Sequence, residues 1–426
     1  MFKKLNSKIL IILISIIVII CYLIISSTIE NKKFKNLKFI ELLKLELLKK
    51  QEGSDISLER SILKLSNKQE LKKYTLNSGF YAGIHENYPG SGYIDFFEGN
   101  IIVLSSRGVL AFKKKLENIE ENFQQIKNNI NEYIGMNEFK KDRWFSIKDI
   151  FIFNKKVFVS YTEEIRENCW NTSIIYSDMN YKDIVFKKLF SPKECIHSKN
   201  NIDKEFNAHQ SGGKIISIDK NHIILSIGEY RSRYLAQDIK SLNGKIIKVN
   251  IHNGNYEIIS MGHRNSQGLY SDIENNFILE TEHGPQGGDE VNIIELSKIN
   301  EDKIQNYGWP LSSAGEHYKG KIKANETKYK KYPLYKSHSQ YGFVEPLYSF
   351  TPSIGISAIV KIEKNRYAIG SLKDKSLYFF ELNEQKQIVN LDRVEVFERV
   401  RDLRFNDNRL YLFMESSASI GVINLN

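Results

Sequence analysis

From about Gly79 to the C-terminus, apolar and polar residues alternate in short runs. Examples are NIIVLSS from Asn100, VFVSYT from Val157, HIILSIG from His222, FILETE from Phe277, RYAIGSL from Arg366 and RLYLFME from Arg409. A period of two puts successive side chains on opposite faces of a strand. The Ile, Val, Phe and Tyr that fill these runs suit a pleated, half-buried surface. Turn signals such as Asn253-Gly254 and glycine-rich loops separate them. Many short strands at even spacing predict an all-β sandwich, barrel or propeller. One stretch departs from the pattern: about 116–137 reads as a helical insertion. No sharp internal repeat fixes the number of units.

The N-terminal part reads differently. Ile9 to Ile25 is an apolar run interrupted only by Ser15, Cys21 and Tyr22, with Lys3, Lys4 and Lys8 before it. That length just crosses a bilayer. No small-x-small cleavage site follows, and Ile20 stands before Cys21 where a lipoprotein signal has a small residue. The run therefore predicts an uncleaved signal anchor, a transmembrane helix within 1–30, with a buried core helix as the other reading. In 37–50, Ile40, Leu43 and Leu47 share a helical face among lysines and glutamates. With the Lys/Glu-rich stretch behind it, 31–78 is expected to be an amphipathic helical linker, leaving 79–426 as the β domain. Lys32, Lys33, Lys35 and Lys38 after the run narrowly favour a cytoplasmic C-terminal side.

Charge and cysteine change this picture little. The net charge of +10 reads as a lysine-rich solvated surface. With no helix-turn-helix, RNA-recognition signature or paired-Cys zinc spacing, no nucleic-acid partner is expected. Cys169 and Cys195 flank a hairpin that turns near Asn180. They could face each other as a disulfide in an oxidising compartment, or stay two thiols.

Candidate chemistry concentrates between Gly262 and Asn292, in GHRNSQGL and ETEHGPQGGDEVN. Arg264 is a fixed cation with a planar fork of donors suited to carboxylates. Asn265 adds an amide. Gly284 and Pro285 leave backbone carbonyls uncovered, and hard cations take such oxygens. An anion grip beside a metal site suggests a cofactor pocket. No nucleophile elbow, phosphate loop or Rossmann glycine motif occurs, which argues against acyl transfer and nicotinamide chemistry.

These two motifs, with NYGWP at 306–310, resemble the glucose/sorbosone dehydrogenase family, soluble-type aldose sugar dehydrogenases. HQSGGKI from His209, SLNGKIIKVN from Ser241, EPLYSFTPSIGIS from Glu345, GSLK from Gly370 and RVRDL from Arg399 follow in the family's order. The resemblance implies a six-bladed β-propeller that uses pyrroloquinoline quinone (PQQ) and calcium to oxidise a sugar at C1. It implies His209 as the base, Arg264 as stabiliser of developing negative charge, and Arg264, Asn265, Lys373, Arg399 and Arg401 as cofactor contacts. Ser353 would offer a hydroxyl and Tyr348 a wall of the pocket, with calcium on the carbonyls of Gly284 and Pro285. It also favours export over the lysine count, giving a membrane-anchored, extracytoplasmic propeller that passes electrons to an acceptor the sequence does not name. His263 and His283 read as packed or hydrogen-bonded histidines. Three departures bear on sugar specificity and PQQ binding: Ala208 replaces an aspartate before the histidine, an early-blade glutamine loop is missing with Trp144 nearest to it, and the GDQG loop reads IGEYR with Glu229 and Tyr230. The alternative is a non-catalytic propeller of the same ancestry that binds carbohydrate or protein.

Overall fold

The computed structural model describes residues 56–76, 91–142, 144–299, 304–318 and 326–425. Six antiparallel sheets form a β-propeller. Blade one comprises Gly92–Phe97, Asn100–Ser105, Leu110–Lys113 and Gln124–Gln125. Blade two comprises Ile147–Phe153, Lys156–Arg166, Cys169–Asp178 and Lys187–Phe190, with Ile196–His197 paired to its third strand. Blade three is Gly212–Asp219, His222–Ile227, Lys245–Asn250 and Tyr256–Met261, extended by the parallel strand Gln305–Asn306. Blade four is Ser266–Asp272, Phe277–Glu282, Asp289–Glu295 and Tyr348–Phe350. Blade five is Ile356–Lys361, Arg366–Ser371, Ser376–Leu382 and Ile388–Glu395. Blade six starts with Val400–Asn406, Arg409–Met414 and Ser419–Asn424.

The first strand of each blade packs against the first strand of the next, and the sixth returns to the first. Middle strands are covered on both faces by neighbouring blades, so their two side-chain sets are both buried, as in Phe277–Glu282. Apolar clusters fill the spaces between blades. Ala358, Val360, Leu403 and Leu410 lie between blades five and six, and Ile215, Leu225, Phe158 and Ile174 between three and two.

Blade six is completed from the other end of the chain. Glu70–Leu76 pairs with Ser419–Asn424, and Leu58–Lys64 pairs outside it. This corrects the expected linker, because its last part belongs to the propeller. The outermost strand exposes Glu59, Arg60, Ser61, Ile62 and Lys64, and its three charges suit an open sheet edge and are easily taken for a linker. The expected helix over 116–137 is absent too. That span holds Gln124–Gln125, a second short strand at Lys127–Asn128 and a 3-10 turn at Ile130–Glu132, before a short helix at Met136–Lys141. Phe123, Ile126, Ile130 and Ile134 are buried there; their spacing of three, four and four imitates a helical face, although the chain that carries them is short strand and turn. The anchor and the amphipathic 37–50 stretch lie outside the described residues. Among those described, no helix is long and apolar enough to cross a membrane.

Cys169 and Cys195 are joined as a disulfide, Cα to Cα 5.3 Å. On the propeller axis, Lys214 of blade three donates to Asp149 of blade two (3.0 Å) and to Asp402 of blade six (2.8 Å). Arg404 adds bonds to Asp402 (2.9 Å) and to the carbonyl of Ile150 (3.0 Å).

Candidate active site

A cavity of about 230 Å3 opens where the first strands begin. His209, Asn265, Arg399 and Arg401, all singled out in the sequence, line it together. His209 sits in the turn before Gly212–Asp219, where the Asn207 side chain accepts its backbone N–H (3.2 Å). The imidazole is exposed to the cavity and meets the Trp144 ring edge-on at 4.9 Å. Surrounding protein, then the cations Lys148, Arg231 and Arg264, push its pKa well below the usual histidine value. The ring is therefore neutral near pH 7, the state a proton acceptor needs.

Arg399 and Arg401 converge on Glu415, through Nε at 2.8 and 2.6 Å. Arg401 also donates to Gln267 (3.2 Å), and Arg399 to the carbonyl of Leu372 (3.2 Å). Burial opposes ionisation of Glu415, but the two arginines outweigh it and hold the carboxyl at about pKa 2. The guanidinium forks are thus preset on the cavity wall. Asn265 accepts from the N–H of Gly212 and from Gln267 (both 3.1 Å). Gly212 and Gly213 adopt positive φ, +62° and +112°. A Cβ on Gly213 would meet the stem of Lys148 at 2.3 Å, so this glycine makes room for protein.

Arg264 stands behind this lining. It is 5% exposed, lies 5.3 Å over the Trp309 ring and donates to the carbonyl of His283 (2.8 Å). With its amide turned to donate to Glu229, Gln210 accepts from Arg264 (3.0 Å) and Arg231 (3.1 Å). Lys373 is exposed beside the lining residue Leu372. Ser353 is partly buried outside the lining, its hydroxyl without a partner among the described residues. Tyr348 does not wall the pocket. It lies on the outermost strand of blade four, 39% exposed and packed on Phe350, because the strand that carries it caps the blade's rim.

Gly284 and Pro285 lie in the loop between Phe277–Glu282 and Asp289–Glu295. Asp289 spends its oxygens on the N–H groups of Gly284 (3.0 Å), Gly355 (2.7 Å) and Ile356 (3.1 Å), which braces the loop. No donor among the described residues reaches the carbonyls of Gly284 or Pro285. Their oxygens thus fit a hard cation. His283 lines the cavity and bonds the carbonyl of Ile356 (2.5 Å), while His263 is buried against Tyr307 and bonds Ser260 (2.8 Å). Beneath Arg264, Glu282 accepts its backbone N–H (2.6 Å). Burial, then the neighbouring Glu282, push Glu280 and Glu290 well above the ordinary carboxyl range. The ligand atoms of His263, Glu280 and Glu282 lie within 4.8 Å of one another, the one such trio among the described residues.

Sequence reading missed Lys148, Gln267, Tyr93 and Glu415. Gln267 was in plain view, two residues after Asn265. Glu415 carried no local signal, because only blade pairing brings it to the arginines.

The glucose/sorbosone dehydrogenase family model matches residues 145–422. The aldose sugar dehydrogenase YliI of Escherichia coli K12 is 26% identical over 294 residues, covering 63% of this chain and 72% of that protein. Among solved structures, a glucose dehydrogenase superposes with a TM-score of 0.60 at 22% identity, covering 78% of this chain and 95% of its own. The PQQ-bound aldose sugar dehydrogenase of Streptomyces coelicolor superposes with a TM-score of 0.57 at 17% identity, covering 83% and 98%. At these identities the structures testify to the fold.

Proposed function

The chain belongs to the glucose/sorbosone dehydrogenase family, and on that premise we propose that it oxidises an aldose sugar at C1 to the lactone, with PQQ and calcium bound in the cavity. The observation that carries this reading is the joint placement of an accessible, neutral imidazole and a pre-paired arginine couple in one cleft. The named activity of YliI and the PQQ in the Streptomyces structure support it.

A tricarboxylate fits the donors present. Arg399, Arg401 and Asn265 would hold its carboxylates, with Lys373 at the rim, and the carbonyls of Gly284 and Pro285 would hold calcium. When bound, the quinone supplies the hydride acceptor and the metal polarises it. His209 takes the proton of the C1 hydroxyl on its unprotonated ring nitrogen. Arg264 acts from behind, since its donors are already engaged. It adds positive potential and fixes His283 and the Gln210 turn. Trp144 supplies an apolar wall against His209 for the sugar face.

Export behind a membrane anchor is part of the same reading. The Cys169–Cys195 bond suits an oxidising compartment, and the apolar run from Ile9 suits an anchor.

The test is PQQ titration of the purified, calcium-loaded protein, followed by dye reduction across a panel of aldoses. His209→Ala is expected to lower turnover by about 10²-fold or more while PQQ affinity stays within a few-fold. Unchanged turnover in that variant removes His209 from the mechanism. Absence of PQQ binding in the wild type favours the non-catalytic propeller, a reading for which Ala208 and Trp144 speak.

A further inference from the structure

Resting on the reading that the cavity holds a tricarboxylate, we propose that Lys148 is a further anion anchor, its ammonium binding a cofactor carboxylate from blade two while Arg399 and Arg401 act from blade six.

Lys148 is the second residue of Ile147–Phe153 and lines the cavity with His209, Asn265 and Arg401. Its stem is fixed by packing over Gly213, where any larger residue would collide with it. Its ammonium donates to the carbonyl of Trp144 (2.9 Å). An ammonium has three donors, so two remain without a partner among the described residues.

The contrast with its neighbours is informative. Arg399 and Arg401 share Glu415, whereas no carboxylate among the described residues lies within ion-pair distance of Lys148. The charged and titratable groups that face it are Arg401 from blade six, Arg107 from the turn after Asn100–Ser105, Asp142 from the short helix's end, and His209. Two of these are repelling cations and only one is an anion. Burial, then Arg401 and Arg107, bring the Lys148 pKa down to about 7. A cation held this way, at a cavity wall and short of counter-charge, is matched by an incoming anion. The position is also telling. Lys148 follows Trp144 in the stretch where the family's glutamine loop is missing, so a charged contact stands close to where a neutral one is lost.

A carboxylate beside Lys148 would restore its proton. Binding then takes up a proton above pH 7, and wild-type affinity falls by up to about tenfold per pH unit there. His209 and His283 are both pushed down and stay neutral over this range, and Glu415 stays ionised, so none of them mimics the effect.

The experiment is calorimetric titration of calcium-loaded protein with PQQ at pH 6 to 9, in buffers of different ionisation enthalpy. Lys148→Met is expected to weaken PQQ about 10- to 100-fold near pH 7, as for loss of a charged hydrogen bond, and to abolish proton uptake at pH 8. Lys148→Arg, which keeps its charge, is expected to retain more affinity than Lys148→Met and show no pH slope. Thermal melts establish that each variant is folded. Wild-type binding with unchanged affinity and proton uptake in Lys148→Met overturns the anchor alone. No PQQ binding to the wild type overturns the cofactor reading and the anchor with it.

Discussion

Glu415 shows how one side chain sets the state of the cavity. It is buried, yet ionised down to about pH 2 because Arg399 and Arg401 both bind it. A folded pKa below the unfolded one, about 4.3, contributes stability above that value and loses it as pH falls from about 4 to about 2. The difference corresponds to about 3 kcal/mol. Glu415→Gln should therefore lower stability by about that amount at pH 7 in urea denaturation, and the gap to wild type should narrow toward pH 2. A gap of constant size across that range would mean Glu415 is not the group that titrates. At this scale the sequence was informative where short motifs singled out residues that the fold brings to one cavity, as at His209, Asn265, Arg399 and Arg401. It misled at Tyr348, because a hydroxyl-bearing ring in a motif has no mark of whether it faces a cleft or a rim. It was silent at Lys148 and Glu415, whose meaning comes from partners on other blades.

Among the elements, the pair Leu58–Lys64 and Glu70–Leu76 moves the propeller's start from about residue 79 to about 56. Leu71, Tyr74 and Leu76 are buried, and Glu70–Leu76 covers the edge of Ser419–Asn424. Strand periodicity is weak there because lysines occupy half-covered positions and the outer strand is mostly exposed. A chain beginning at residue 55 should melt at the temperature of the whole protein. One beginning at residue 78 should lose roughly 5 to 8 kcal/mol from three large side chains and expose a pairing edge, so it should aggregate. Equal melting and solubility of the two truncations would return these residues to a linker. The central strands were legible for the opposite reason. Their alternation and their β-branched and aromatic residues between turn signals fit strands, although the structure buries both faces of the middle ones.

Across the whole molecule, the ring is tied at its axis by a charge network that no strand pattern announces. Lys214 joins blade three to blades two and six, and Arg404 carries the connection to Asp95 of blade one (3.4 Å). Such closure explains why the number of blades followed from family resemblance rather than from any repeat. The contacts that fix it are single buried residues far apart in sequence. Burial pushes Asp149 up, whereas Arg404 and Lys214 overcome burial and hold Asp402 down. Lys214→Met removes the cation between two carboxylates, and a buried pair so broken is expected to cost about 3 to 5 kcal/mol. The loss depends on pH in a defined direction. Asp149 already binds its proton more tightly in the folded than in the unfolded chain, and without Lys214 it binds it more tightly still, so the variant's stability falls further than the wild type's as pH rises above about 4. Urea midpoints measured from pH 5 to pH 8 should thus diverge between variant and wild type, with the smaller gap at pH 5. Parallel profiles would show that Arg404 alone neutralises the axis, and that Lys214 is a passenger there.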